Sequence, residues 1–307
     1  MVTDRISLSK LIPYLAAIFS MIFFGMSFIW TKILLQSFGP LTIIFLRLFI
    51  SSFFLSFYFF LTRKIHFKKA HLKYFMGLAF FEPFLYFLGE NFGVKYVSPT
   101  IASMIISTIP LVSPIFVFLF LKEKLNSYNL AGLIVSFIGV LTVLLSKNST
   151  LEYNLKGIGL LFFAVAATIG YSIIVKKLTS EYSSINIVFF QNLIGFFYFL
   201  PFVIAFEGTS FSQISLDRST LSALLQLSFF ASTLAFILLT KAIAVLGVNK
   251  TNVFINLIPV VTAIFSFVIF KNMLSIQEIV GILIVIGGLF LSQFRRSASE
   301  IIIHEDI

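Results

Sequence analysis

Apolar residues run through the chain in blocks of about 20, the length a helix needs to cross the hydrocarbon core of a bilayer. The first block runs from Leu11 to Leu35. Others lie near 40–62, 72–92, 98–121, 127–146, 156–178, 184–206, 219–241, 249–270 and 275–294. Polar stretches separate them, shortest around 90–100 and 240–250. The first block is too long for a signal-peptide core and has no clear small-residue cleavage site, so it reads as a retained span. The pattern predicts an all-α integral membrane protein with ten transmembrane helices.

Composition fits this reading. Hydrophobic residues make up 59% of the 307 and charged residues 11%, against about a quarter charged in soluble domains. The formal charge of +10 would suit nucleic acid if the bases formed one patch. Instead they sit in short loops, as the positive-inside rule describes. With the N-terminus inside, the inner segments carry fifteen Lys and Arg and the outer ones five. This asymmetry predicts both termini in the cytoplasm and no nucleic-acid partner. There is no cysteine, and His66, His71 and His304 lie in loops or the tail at no metal-ligand spacing. No metal and no cofactor are expected.

One stretch departs from the apolar pattern. Phe81 to Leu125 carries Glu82 followed by Pro83, then Glu90, Asn91, Pro99, Pro110 and Pro114. A carboxylate at membrane depth costs at least about 2.5 kcal/mol on insertion scales, and proline removes a backbone donor. Such defects are tolerated in lipid only where protein or a water-filled cavity covers them. The stretch is therefore expected to face an interior pathway.

Part of it recurs. A shift of 149 places Pro110 on Pro259, Phe116 on Phe265, Lys122 on Lys271, Gly132 on Gly281 and Gly139 on Gly288 without a gap. The same shift places Phe80-Phe81 on Phe229-Phe230. A shift of 144 places Lys32 on Lys176 and Arg47 on Gln191. Each half then has five spans, an odd number, so the halves are expected to be inverted relative to one another. Residues 1–150 and 151–296 are the predicted repeats, and 297–307 is a cytoplasmic tail. Inverted repeats are a common build of secondary transporters, with the site near the midplane where the halves meet.

The pieces FFGMSFIWTK (23–32), the pair Pro40 and Arg47, IPLVSPIFVFLFLKEKL with its following glycines, and the echo IPVVTAIFSFVIFKNML carry a resemblance. The chain resembles a ten-helix drug/metabolite transporter built of two EamA-type repeats, over nearly its whole length. The resemblance implies a bacterial inner-membrane exporter of amino acids or related metabolites, or a proton-coupled uptake system. Glu123 matches the acid such proteins carry after the fourth span of each half, whereas Asn272 stands at the second-half position.

Candidate transport residues follow from depth, at about 1.5 Å per residue. Arg47 falls about 10 Å and Glu82 about 15 Å from the outer ends of their spans, within side-chain reach of one another. Glu90, with Asn91 beside it, falls nearer the outer mouth. Arg47 and Glu82 are expected to form an intramembrane pair, or Arg47 to hold a substrate carboxylate while Glu82 takes an amine or a proton. Tyr86, one turn after Glu82, shares its face. Asn256 either caps the carbonyl that Pro259 leaves unpaired or faces substrate. Gln191 and Asn192 either bond between helices or line the path. Trp30 and Lys32 read as interfacial anchors. Pro83 points to an opened helix, and Pro110, Pro114 and Pro259 to hinges. Gly132, Ser136, Gly139, Gly281 and Gly288 point to close helix packing, in a monomer or a homodimer.

The expected partners are a small-molecule substrate, protons as a coupling ion, and the lipid bilayer. A membrane enzyme or channel using Glu82 and Glu90 is the alternative. No HExxH, GxSxG, DxxD or phosphate-cradling loop supports catalysis or an ATP-driven pump, so the chain is not expected to be an enzyme.

Overall fold

The computed structural model describes residues 8–122, 127–144, 154–208, 217–271 and 275–293. All regular structure among them is helical, in ten consecutive rods. These are α1 Leu8–Leu34, α2 Pro40–Thr62, α3 72–96, α4 99–121, α5 Ser127–Leu144, α6 Leu155–Leu178, α7 Ser184–Phe206, α8 Arg218–Leu246, α9 Val248–Phe270 and α10 Ile276–Gln293. Six of them, α1, α2, α6, α7, α8 and α9, are long and apolar enough by themselves to cross a bilayer. Positions 123 and 272, where Glu and Asn distinguish the two halves, lie outside the described residues.

Two rods end later than the sequence pattern predicts, α3 at 96 rather than 92 and α8 at 246 rather than 241. Their connections to the next rod hold almost no polar residues. Ser98 caps the start of α4, accepting the Ile101 N–H at 3.3 Å, and Pro99 occupies the first turn, where its missing N–H costs nothing. Between α8 and α9 the chain reverses at Gly247, whose φ of 83° belongs to a region that a Cβ disfavours.

Four rods are broken internally. In α3, a π-helical segment Phe80–Leu85 contains Glu82 at φ −147°, ψ 116°. In α8, a π-helical segment spans Leu227–Ala235, covering the residues that the shift of 149 equates with 80–85. α4 is interrupted at Ser107 and Thr108, between Pro99–Ile106 and Ile109–Leu121. α9 tightens into a 3-10 turn at Phe254–Asn256. Pro83 lies in the first break, Pro110 opens the second half of α4, Pro114 lies inside it, and Pro259 follows the turn in α9.

Small residues set the close contacts. α5 and α10 meet through Gly139 against the backbone of Gly281 and Val285, and through Gly288 against Ser136 and the carbonyl of Gly132. Ser136 Oγ also donates to the Val285 carbonyl at 3.3 Å. Gly89 and Gly93 of α3 abut Leu160, Leu161 and Ala164 of α6. Because Gly157 of α6 touches Tyr96 of α3, the start of α6 lies beside the end of α3, and the two rods run in opposite directions.

Side chains tie down the rod ends. Lys32 Nζ donates to the carbonyls of Val94 and Val97, both at 3.0 Å. Lys176 Nζ donates to those of Ile243 and Ala244, at 3.2 and 3.3 Å. Each ammonium thus sits on the negative end of a helix dipole, one at the end of α3 and one at the end of α8. Lys32 is not an anchor at the lipid interface, and Trp30 is 4% exposed inside a cluster with Leu34, Phe38 and Ile43. A side chain that bonds a helix terminus reads in sequence like one that faces a headgroup.

α2 and α7 are bound at both ends. Glu207, just past α7, accepts the N–H groups of Leu41 (3.3 Å) and Thr42 (2.8 Å) and the Thr42 hydroxyl (2.7 Å). It supplies the N-terminal cap that Gly39 cannot. At the other end the 63–71 linker is held by Asn186, Tyr182 and Glu181: the His66 N–H donates to Asn186 Oδ1 (2.9 Å), and Lys68 Nζ to Glu181 Oε2 (2.9 Å). That last bond raises Lys68 above the usual ammonium value and lowers Glu181 below the usual carboxylate value.

Candidate functional site

The break in α3 positions Glu82. An interior helical residue would point along one face of a continuous rod, but the extended backbone at Glu82 interrupts that face. The following Pro83 ring packs where Gly195 of α7 leaves room for it. The Glu82 side chain lines a cavity between six rods. Its polar wall is Glu82 and Tyr86 from α3, Thr168, Tyr171 and Ser172 from α6, and Asn252 from α9. Apolar residues of α1, α4, α8 and α9 complete it, including Phe24, Ile106, Leu239 and Ile255. The cavity volume is about 40 Å³, room for about three waters.

Glu82 is 5% exposed and receives no hydrogen bond from a described residue. Arg47 does not pair with it. Instead Arg47 Nη1 lies 3.7 Å from Glu90 Oε2, Nε donates to Ser232 Oγ at 2.7 Å, and the guanidinium carbon stacks 4.0 Å above the Phe87 ring. The expectation of an Arg47–Glu82 pair is therefore corrected to Arg47–Glu90. So is the expected place of Glu90 near the outer mouth, since it is 4% exposed and packed in the interior. The physical reason is the length of α3. With the rod ending at 96, Glu90 lies about 9 Å from that end and Arg47 about 10 Å from the start of α2, whereas Glu82 is about 21 Å deep.

The other sequence candidates gather around this pair or stay apart from it. The Tyr86 hydroxyl donates to Glu90 Oε1 at 3.4 Å while its ring borders the cavity. Asn91 Nδ2 donates to the Phe87 carbonyl at 3.1 Å and to Glu90 Oε2 at 3.5 Å. Asn192 bonds between helices, donating to Ser51 Oγ and the Ser232 carbonyl, both at 2.7 Å. Gln191 is fully buried, and neither its amide nitrogen nor its amide oxygen has a hydrogen-bond partner among the described residues. Asn256 is buried in the 3-10 turn, outside the cavity wall.

Asn252, one turn before Asn256, lines the cavity instead and donates to Ser113 Oγ at 2.9 Å. Sequence reasoning passed over it, along with Thr168, Tyr171, Ser172 and Ser232. Hydroxyl residues in apolar spans usually bond their own backbone, so their spacing carries no signal. The Ser232 carbonyl is available to Asn192 within the π segment of α8, which no proline announces. Among the described residues no group of three or more His, Asp or Glu could hold a metal ion.

A ten-rod apolar bundle with a carboxylate facing an internal cavity is the build of a membrane carrier, and comparison with known proteins agrees. The model of the EamA-like transporter family matches the chain twice, over residues 11–145 and 155–294. The chain belongs to the EamA-like transporter family. It is similar to the uncharacterized transporter YetK of Bacillus subtilis, 29% identical over 72% of this chain and 68% of YetK. An uncharacterized transporter of Archaeoglobus fulgidus is 24% identical over 89% of this chain and 96% of its own length. A solved crystal structure has the same fold, with a TM-score of 0.72 at 16% identity, covering 93% of this chain and 97% of that one.

Proposed function

We propose that this multi-pass membrane transporter is a secondary carrier. It moves small metabolites, amino acids or related compounds, by alternating access through the Glu82 cavity, in the direction of export across a bacterial inner membrane. The observation that carries the reading is Glu82 itself: a carboxylate without a hydrogen bond from any described residue, set at a helix break, in a cavity walled by both halves of the chain. A purely structural acid would be expected to be paired, as Glu90 is.

In this account Glu82 and Tyr86 contact the solute. Arg47, Glu90 and Asn91 fix the wall behind them, and Gln191 and Asn256 lie along the path at its margins. The breaks at Pro83, Pro110, Pro114 and Pro259 serve as hinges. The excess of Lys and Arg on the N-terminal side supports cytoplasmic termini, and two features support inverted halves. α3 and α6 run in opposite directions although each half has five rods, and Lys32 and Lys176 make matching bonds at the ends of α3 and α8. Val94 and Ile243, their acceptors, are equated by the shift of 149.

Liposome transport tests this reading. Wild type should move at least one member of a panel of labelled amino acids and derived compounds. Glu82→Gln, folded equally well, should lose at least about tenfold of that rate, the scale of a lost charged contact. Normal transport by Glu82→Gln would place the pathway elsewhere.

A further inference from the structure

The charges around the cavity constrain what it accepts. Three charged side chains lie together in the interior, Arg47, Glu82 and Glu90: one positive and two negative. Arg47 is committed, bonded to Ser232, paired with Glu90 and stacked on Phe87. It is 1% exposed and not on the cavity wall. Among the described residues, the only charged one on that wall is Glu82.

Among the described residues, four ionisable groups act on Glu82. Glu90 and Tyr86 come from its own rod, Arg47 from α2 and Tyr171 from α6. None offers a second positive charge. When both acids are ionised the cluster is one negative charge in excess, and a buried excess charge is neutralised by whatever cation reaches it. A zwitterionic amino acid would add a second carboxylate to the site with no base free to receive it. An amine without a carboxylate brings only the charge that is lacking. The rings of Phe24, Tyr86 and Tyr171 on the wall suit an organic cation further, since aromatic faces attract positive charge.

We infer that the Glu82 cavity selects a small monovalent organic cation with an apolar body, and that this cation and a proton occupy Glu82 in turn. The inference rests on the transport reading and narrows its solutes from amino acids and related compounds to the related amines that lack the carboxylate. The exchange balances: one cation binds the carboxylate as one proton leaves it, so each cycle carries one cation one way and one proton the other. The site is neutral in both loaded forms.

The test uses full-length protein and three labelled probes sharing one ring: phenethylamine, its N-trimethyl cation, and phenylalanine. The trimethyl cation does not leak through lipid, so its movement reports the carrier. In liposomes we expect the trimethyl cation to move at least about tenfold faster than phenylalanine, the scale of one charged contact. A pH gradient should drive it uphill, and Glu82→Gln should abolish both effects. In weakly buffered detergent solution, adding phenethylamine should release protons from wild type and none from Glu82→Gln. Glu82→Asp, which keeps the charge, should retain proton release and so separate charge from folding. Phenylalanine moving as fast as the cations would overturn the inference and leave the transport reading intact. No movement of either cation, with no proton release, would also overturn it. The transport reading itself falls only if no compound of the wider panel moves.

Discussion

At the residue scale the interior depends on Arg47 and Glu90 together. Their side chains are 1% and 5% exposed, so removing one partner leaves the other charged in a medium that solvates it poorly. Arg47→Met is expected to lower stability in detergent by about 3–5 kcal/mol, the usual cost of orphaning a buried ion. The double variant Arg47→Met with Glu90→Leu should recover most of that loss. Reversible unfolding of the two single variants and the double variant checks this, and a loss in the double variant equal to the sum of the two single losses would show that the pair is not coupled. The acids and the arginine were legible in the sequence because charge in an apolar span is conspicuous. Their pairing was not. A four-residue error at the end of α3 is about 6 Å of depth, enough to exchange Glu82 for Glu90 as the partner of Arg47. The polar wall was hidden for another reason: Tyr171, Thr168 and Asn252 are unremarkable singly and meet only when α6 and α9 are folded against α3.

At the element scale the rods carry breaks at equivalent places in the two halves, α3 with α8 and α4 with α9. Prolines made three of these readable. The π segment of α8 has no proline, and its polar residues, Ser228, Ser232 and Thr233, are ordinary in a helix. The caps at the rod ends were equally hidden, because Glu207 and Lys176 reach partners far away in the chain. One of these ties titrates. Lys68, raised, keeps its share of the linker bond up to the alkaline range and loses it as pH rises through its folded value. Glu181, lowered, keeps its share above the ordinary carboxylate value and loses it as pH falls through its folded value. His71 Nδ1, 3.6 Å from Glu181, shares the same acid. Hydrogen exchange of the 63–71 linker, corrected for intrinsic rate, should therefore be flat around neutrality and quicken on acidification below the carboxylate range. Glu181→Gln should show the faster exchange already at neutral pH. Because the pair is exposed, global stability should hardly change.

At the scale of the whole molecule, the count of ten spans and the duplication were readable from apolar blocks and matched prolines and glycines. The cavity was not, since it is a property of six rods from both halves. It is small, about 40 Å³, so carriage of a solute requires the rods to part on one side and then the other. Lys32 and Lys176 hold the two ends where that parting would occur. The chain has no cysteine, so a single one can be introduced without altering any other residue. Ser172 lines the cavity and is the position of choice. Ser172→Cys should react with a membrane-impermeant thiol reagent added on either side of sealed liposomes, and a transported solute should slow both reactions. Reaction from one side only, under every solute and pH condition, would contradict alternating access through the Glu82 cavity.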